Sequence, residues 1–460
     1  MEGGNRMALT SSPKGDQALI NASPTKEFFI HMLTRDIPLT RAILDLVDNS
    51  VDGARQLRPA GDYDRLWVRM ELDAKHFRIA DNCGGIPVDV ARDYAFRFGR
   101  PKEAKGTPGS MGQFGVGMKR TFFRLGRHFV VRSTTADARF TVDVDVDKWM
   151  ADGEFPEKWH FNFSELETGL RVKAKDTGTV IEVDRLLPNV ADTFALENFK
   201  SRFAEELSQA HALTLDRELA ITLNGLPIKH EPQELFASKT LKPGYAEKSY
   251  ASKVLVGKPG PPARVKLYAG VSERSLHNGG WYVFCNGRLI LRADQTTTTV
   301  WGERHQMRAY HPNFAYFRGY AYFDCDDGAL LPWTTTKTGV DADSPIYKAV
   351  QREMIEMTRP VLTFLTNLEN ERAAAAAVRP LADAITTAQA TRVQTITQPH
   401  AFVSPLPARA PSGPKMQKIQ YVKPAAEVEK AKQLLKVRSF TAVGEKTFEY
   451  FMRYEAGEKE

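Results

Sequence analysis

Between Leu39 and Arg55 the chain reads LTRAILDLVDNSVDGAR, and Leu39, Ala42, Ile43, Leu46 and Val47 recur with a 3.6-residue period. The spacing predicts an amphipathic helix inside a helical stretch from Lys26 to Arg55. The period then changes to two. RLWVRMEL, HFRIAD, HFVVRSTT, RFTVDVDV and GTVIEVDRL alternate as short strands, and a helical stretch near Asn198–Leu213 follows. Together they predict an α+β layer, a sheet with helices on one face. A second strand-rich part begins at LAITLNGLPI and continues through ARVKLYAGV, WYVFCNGRLIL and AYFRGYAYFDC. Asn224-Gly225 and Asn286-Gly287 are hairpin-turn signals. From Ser344 the pattern is helical, with a kink expected at Pro360. ERAAAAAVRPLADAITTAQATR reads as helix on propensity, PHAFVSPLPARAPSGPK as linker, and the last stretch as a small helical module.

Length and composition bound the class. A chain of 460 residues with 42% hydrophobic and 26% charged content is expected to fold as two or three globular domains. No apolar run reaches a membrane span, and MEGGNRMALTSSPKGDQ lacks an apolar signal core. Cys83, Cys285 and Cys325 form no metal-ligand spacing. An odd, low cysteine count fits a reducing, cytoplasmic setting. Thr391 to Arg438 holds nine Lys/Arg against two Glu, which equals the chain's whole net charge of +7. Such a tail suits nucleic acid or an acidic partner, or is a solvated linker.

Four pieces carry candidate chemistry. GSMGQFGVGMKR packs four glycines into nine residues ahead of a helix. Without Cβ atoms, backbone N–H groups can turn toward phosphate oxygens, and a helix N-terminus favours anions. A tight turn with no ligand would use the same glycines. No Gly-Lys-Ser/Thr follows, so this is not a Walker loop. Asp45, Asp48, Asn49 and Asp52 share the polar face of the first helix. The stripe is either solvated or offers hard oxygen ligands for Mg²⁺ and carboxylates to orient a water. In FRIADNCGGIP, Asp81 ends a strand and could accept a hydrogen bond from an exocyclic amine, while Gly84 and Gly85 would let a flat base lie close; an ordinary Asp-Asn turn is the alternative. In DTGTVIEV, Thr179 opens a strand, and its hydroxyl serves a ligand or the turn.

In this order the four pieces resemble the nucleotide-binding motifs of the GHKL ATPase superfamily, which includes gyrase B, heat-shock chaperones, histidine kinases, MutL and MORC. The resemblance covers roughly Lys26 to Leu186. It implies a GHKL (Bergerat) sheet-and-helix sandwich, then an α/β transducer-type domain and a helical C-terminal region. The expected divisions are a disordered segment over 1–24, an ATP-binding domain over 25–190, a transducer-like domain over 198–370, a helical segment over 371–398, a Pro-rich basic linker over 399–424 and a helical module over 425–460. By resemblance Asn49 is the Mg²⁺-binding asparagine. Asp45 stands where MutL-like and chaperone-like members carry a water-polarising glutamate, one methylene longer. Asp81 is similar to the adenine-reading aspartate, with Cys83 in place of a usual glycine. Asp52, Gly85, Ile86, Gly112, Gln113, Phe114, Gly115, Val116, Gly117, Met118, Lys119 and Thr179 complete the implied ATP site, under a lid of about Val88 to Met111.

LLPWTTTKTGVD places Lys337 in a Thr-rich loop before a long helix. It resembles the transducer lysine of MutL-like and MORC-like proteins, which reaches the γ-phosphate from the second domain; a surface lysine is the alternative. The implied protein is a slow, Mg-dependent ATPase that closes as a homodimeric, DNA-associated clamp in genome defence or repair, with a partner protein as effector. The segment SPTKEFFIHMLTRDIPL is expected to supply part of the dimer surface. Competing readings are a non-catalytic nucleotide-gated scaffold and a chaperone-like ATPase.

Overall fold

The computed structural model describes residues 25–35, 37–99, 108–112, 115–153, 159–302, 307–373, 378–407, 419–420 and 422–455. The segment 1–24, residues 100–107 of the expected lid, the expected ligand residues Gln113 and Phe114, and residues 408–418 and 421 of the expected linker lie outside them. The chain divides into two compact units, Met1–Ala408 and Arg409–Glu460.

In the first unit, α1 (Lys26–Arg35) and α2 (Leu39–Leu57) precede β1 (Trp67–Leu72) and β2 (Phe77–Asp81). A turn of α3 (Val88–Val90) continues as a π turn over Ala91–Ala95. Then come α4 (Gly117–Leu125), β3 (Gly126–Thr134), β4 (Ala138–Asp145), α5 (Val146–Ala151), β5 (Phe163–Thr168) and β6 (Gly178–Leu186). Next are α6 (Pro188–Phe194), α7 (Glu197–Ala210), α8 (Ala212–Leu215), β7 (Ala220–Leu223) and β8 (Leu226–Pro227). The strands form one sheet in the order β5-β4-β3-β6-β2-β1-β7-β8, antiparallel except for the β1–β7 pair.

Strand alternation explains why helices lie on one side. In β1, Val68, Met70 and Leu72 are buried while Arg69 and Glu71 are exposed. The buried face packs on α2, whose Ile43, Leu46, Val47 and Val51 join one core with Phe122 of α4 and Phe203 of α7. Leu39, expected with them, is only half-buried. The opposite face is a charged lattice in which Arg78 reaches Glu182 at 3.3 Å and His128 lies between Asp143 and Asp184 at 2.8 and 2.9 Å. Such exposed pairs contribute little stability; they keep that face wet.

The chain continues with β9 (Glu234–Ala237), β10 (Gly244–Tyr250), α9 (Ser252–Val256), β11 (Ala263–Val271), β12 (Gly280–Cys285), β13 (Arg288–Asp294) and β14 (Phe317–Asp324). After α10 (Pro345–Ala373) and α11 (Pro380–Thr387) comes β15 (Gln389–Arg392). The second sheet has the order β10-β11-β14-β12-β13, with β12 and β14 parallel. The helix α10 runs through Pro360 and shares a core with this sheet; Trp281 Nε1 donates to Thr358 Oγ1 at 3.2 Å. A row of Tyr245, Tyr268, Phe284, Tyr320 and Tyr322 packs with Leu235 of β9 and Val393.

Three expectations need correction. The LAITLNGLPI hairpin does not begin the second sheet: β7 extends the first by parallel pairing with β1, Trp67 opposite Ala220. The QATR stretch, expected as helix within 371–398, is the strand β15, because β9 offers it an unpaired edge. Helical propensity is a weak prior against a ladder of backbone hydrogen bonds. The expected linker from residue 399 is not free at its start: His400 pairs with Tyr245 and Val403 with Lys242 through backbone hydrogen bonds of 2.9 and 3.0 Å. Both hairpin turns form where expected, with positive φ at Asn224, Gly225, Asn286 and Gly287, as a type I′ turn requires.

The second unit carries α12 (Ala425–Leu435) and α13 (Phe440–Glu455). The two helices pack as a hairpin in which Val443 is the buried side chain among the described residues.

Candidate functional site

The polar stripe of α2 is not solvated. Asp45, Asp48 and Asp52 are 6%, 0% and 7% exposed, whereas Asn49 is exposed. Helix geometry puts the four on one face; α4, the glycine loop and the Lys337 loop cover that face. Beside it lies a cavity of about 780 Å³. Asp45, Asn49 and Asp52 line it from α2, Asp81, Gly85 and Ile86 from the end of β2, and Thr179 from β6. Gly112, Gly115, Val116, Gly117, Met118 and Lys119 line it from the loop and the start of α4, and Lys337 enters from the second sheet's side.

The glycines have partly different reasons from those expected. A Cβ on Gly112 would meet Asp52 Oδ2 at 3.2 Å, and one on Gly117 would meet Asp45 Oδ2 at 3.0 Å. The loop is thus pressed against the carboxylates of α2 even before any ligand is considered. At Gly85, expected to leave room for a flat base, φ is +74° and a Cβ would lie 2.3 Å from the carbonyl oxygen of Thr134. The backbone crossing alone requires glycine there.

Two carboxylates have assigned acceptor roles. Asp52 accepts from Ser110 Oγ at 2.6 Å and from the amides of Met111 and Gly112 at 2.9 Å each. It holds the glycine loop down, so its contact with a ligand would be through that loop. Asp81 accepts from Ser50 Oγ at 2.7 Å, the Cys83 amide at 2.9 Å and the Thr179 amide at 3.2 Å. Thr179 therefore serves Asp81 through its backbone. Burial pushes both carboxyls above their ordinary pKa, against these hydrogen bonds.

Asp45 sits between two cations. Arg120 Nη2 donates to its Oδ2 at 2.6 Å, and Lys337 Nζ to its Oδ1 at 3.1 Å. The same ammonium donates to Asp48 Oδ2 at 2.5 Å. Arg288 Nε of β13 and His211 Nε2, between α7 and α8, each lie 3.4 Å from Asp48 Oδ1. Burial alone would raise the Asp48 pKa; Lys337, Arg288 and His211 outweigh it and hold the carboxyl below its usual range. Burial would lower the Lys337 pKa, but Asp45 and Asp48 reverse the shift, so the lysine is a firm cation. His211 is pushed by burial to about 3 and is neutral.

Arg120, Asp48, Arg288 and His211 were not assigned roles from the sequence. Arg120 had a local signal, the residue after Lys119 on the helix that ends the glycine loop. His211 and Arg288 had none, since only the fold brings them to Asp48.

Lys119 is buried and donates to the carbonyls of Ala95 and Gly115, tying the π turn after α3 to the glycine loop. Burial lowers its pKa to about 7. At pH 8 the free protein therefore holds this amine mostly neutral, and a phosphate nearby would raise its pKa. Binding of a nucleotide at pH 8 is expected to take up close to one proton. Calorimetry in two buffers of different ionisation enthalpy reads the uptake. Lys119→Met should remove it; equal enthalpies in both buffers for the wild type would refute the assignment.

Among the described residues no group of three or more His, Cys, Asp or Glu is placed to hold a metal ion. The exposed Asn49 fits a hard cation that keeps most of its waters and takes its other ligands from phosphate.

Residues 37–179 match the family model described as histidine kinase-, DNA gyrase B-, and HSP90-like ATPase. No curated protein matches the chain. The matched segment runs from just before α2 to Thr179, spanning the four motifs and the strands β1 to β5; most of β6, and β7 and β8, lie beyond it. It supports a GHKL-type domain, and with it ATP binding and, at the level of that family, ATP hydrolysis. Lys337 lies outside the match.

Proposed function

We propose that this chain binds Mg-ATP in the cavity beside α2 and hydrolyses it slowly, with the second sheet reading the nucleotide's third phosphate through Lys337. The observation that carries the reading is the position of Lys337: 292 residues from Asp45, it donates into the same cavity that the four motifs line. Asn49 would hold Mg²⁺, which neutralises phosphate charge. The start of α4 lines the cavity, and a helix N-terminus suits an anion. Arg120 and Lys337 are cations at its wall, and Lys119 would join them on taking up a proton beside phosphate; all three suit phosphate oxygens.

Asp45 is the water-orienting base in this reading. In the present state its two oxygens are occupied by Arg120 and Lys337, so neither is placed to orient a water. Catalysis requires both cations to turn away from Asp45, and phosphate oxygens are their alternative partners. Resting inhibition and activation by the substrate then follow from one pair of contacts. The same clamp favours a second reading, a nucleotide-gated scaffold without turnover, because Asp45 is also a short side chain for the task.

The dimeric, DNA-associated clamp of MORC-like or MutL-like type belongs to this proposal, as does a cytoplasmic setting. The supports are the Lys337 contact, the basic stretch over 391–438, and the lack of any described helix long and apolar enough to cross a membrane. The test is ATP turnover with and without DNA, alongside molecular mass by light scattering with a non-hydrolysable ATP analogue. Turnover and analogue-driven doubling of mass are expected; tight binding without turnover would select the scaffold.

Asn49→Ala is the cleanest probe of the metal. The side chain is exposed, so truncation should change stability by less than about 0.5 kcal/mol. It should abolish Mg-dependent ATP binding. Wild-type affinity with and without Mg²⁺ in the variant, measured by calorimetry, would remove Asn49 from the role.

A further inference from the structure

The turn between β12 and β13 is an unusual place for a buried polar network. Asn286 has φ +48° and is 3% exposed. The turn itself asks only for a residue that tolerates a left-handed backbone, and glycine would serve. Yet each polar group of the side chain is used. Its Nδ2 donates to the carbonyl of Ser110 at 3.2 Å and to that of Cys325 at 3.0 Å, and its Oδ1 accepts from the Cys325 amide at 2.9 Å. Its backbone oxygen accepts from Arg55 Nη2 of α2 at 2.9 Å. A Cβ on the neighbouring Gly287 would touch Arg55 and Met111 at 3.6 Å, so the turn rests on both.

Ser110 is the root of the glycine loop, and Asp52 holds its hydroxyl from the other side. Cys325 follows β14 and begins the stretch that leads to Lys337. One side chain therefore bonds the loop expected to close on phosphate and the segment that carries the coupling lysine.

We propose that Asn286 is a positioning residue that fastens the root of the glycine loop to the segment after β14, so that nucleotide bound at the loop is felt on the second sheet independently of Lys337. The inference rests on the nucleotide reading of the cavity. In the wild type, a nucleotide that orders Ser110–Gly112 also orders Cys325 through this side chain. ADP suffices, because the loop root and not the third phosphate is the point of contact.

The test is hydrogen exchange of the full chain with and without Mg-ADP, followed at peptides covering 108–112 and 325–331, together with the rate of ADP release. Asn286→Gly keeps the turn and removes the side chain. Asn286→Asp keeps its size and the Cys325 amide bond but replaces two donors with none when ionised and one when protonated, so it cannot bond both carbonyls. In the wild type, ADP should slow exchange in both peptides. In both variants ADP should still bind and slow exchange at 108–112, while the ADP-dependent slowing at 325–331 is lost. Release should quicken on the order of tenfold, the scale of one buried hydrogen bond. A merely structural role would raise exchange at 325–331 equally with and without ADP and leave the ligand-dependent increment intact; that result overturns the proposal. A wild type that binds no nucleotide would instead overturn the reading of the cavity, and this inference with it.

Discussion

Asp45→Asn is expected to keep nucleotide affinity or raise it, while turnover falls by on the order of 10²–10⁴-fold, the range of a positioned general base. The amide is nearly the same size as the carboxylate and a far weaker base. Affinity should not fall, because Arg120 and Lys337 both donate to Asp45 and would lose an internal competitor for phosphate. Calorimetry and a coupled turnover assay read the two effects separately. Unchanged turnover would pass the water-orienting role to another group. Weakened binding would show that the Arg120–Asp45–Lys337 arrangement builds the phosphate site and does not restrain it.

The second large effect belongs to Lys337. Lys337→Met removes the charge with little change of volume. Asp45 keeps Arg120 at 2.6 Å, but Asp48 loses its hydrogen bond from Lys337 and retains Arg288 and His211 only as neighbours at 3.4 Å. Leaving Asp48 buried without that partner costs on the order of 3–5 kcal/mol, so thermal stability is read beside activity to separate unfolding from loss of the ammonium. If the ammonium stabilises charge on the transferred phosphoryl group, its loss should lower turnover on the order of 10²-fold. A charge-assisted hydrogen bond contributes roughly 1.5–3 kcal/mol. Dimerisation driven by a non-hydrolysable analogue should then weaken about tenfold or more, as read by light scattering. Wild-type dimerisation in the variant would leave Lys337 as a packing residue.

How much of this was legible beforehand varied with the range of the interaction. The α2 helix and its polar stripe could be read from spacing, because both depend on neighbours within two turns. The burial of that stripe could not: the Lys337 loop that covers it comes from residues 330–341. Asp48 stood in a stripe that read as either solvated or water-orienting, and its partners lie 163 to 289 positions away, on α7–α8, β13 and the Lys337 loop. Hairpin signals located both tight turns, but Asn224-Gly225 did not tell which sheet the β7–β8 hairpin would extend. Glycine was read as space for a ligand at Gly85, where the nearer cause is the carbonyl of Thr134. In GSMGQFGVGMKR the approach to α2 explains Gly112 and Gly117, and both also line the cavity.

The account stands on the claim that the second sheet distinguishes ATP from ADP through one lysine. A ligand can shift a conformational equilibrium only by its differential affinity for the two states. The direct measurement is therefore a calorimetric comparison of a non-hydrolysable ATP analogue and ADP, each with Mg²⁺, on the wild type and on Lys337→Met. The account predicts that the variant keeps its ADP affinity and loses affinity for the analogue on the order of tenfold. Equal losses for both nucleotides, or none for either, would contradict it.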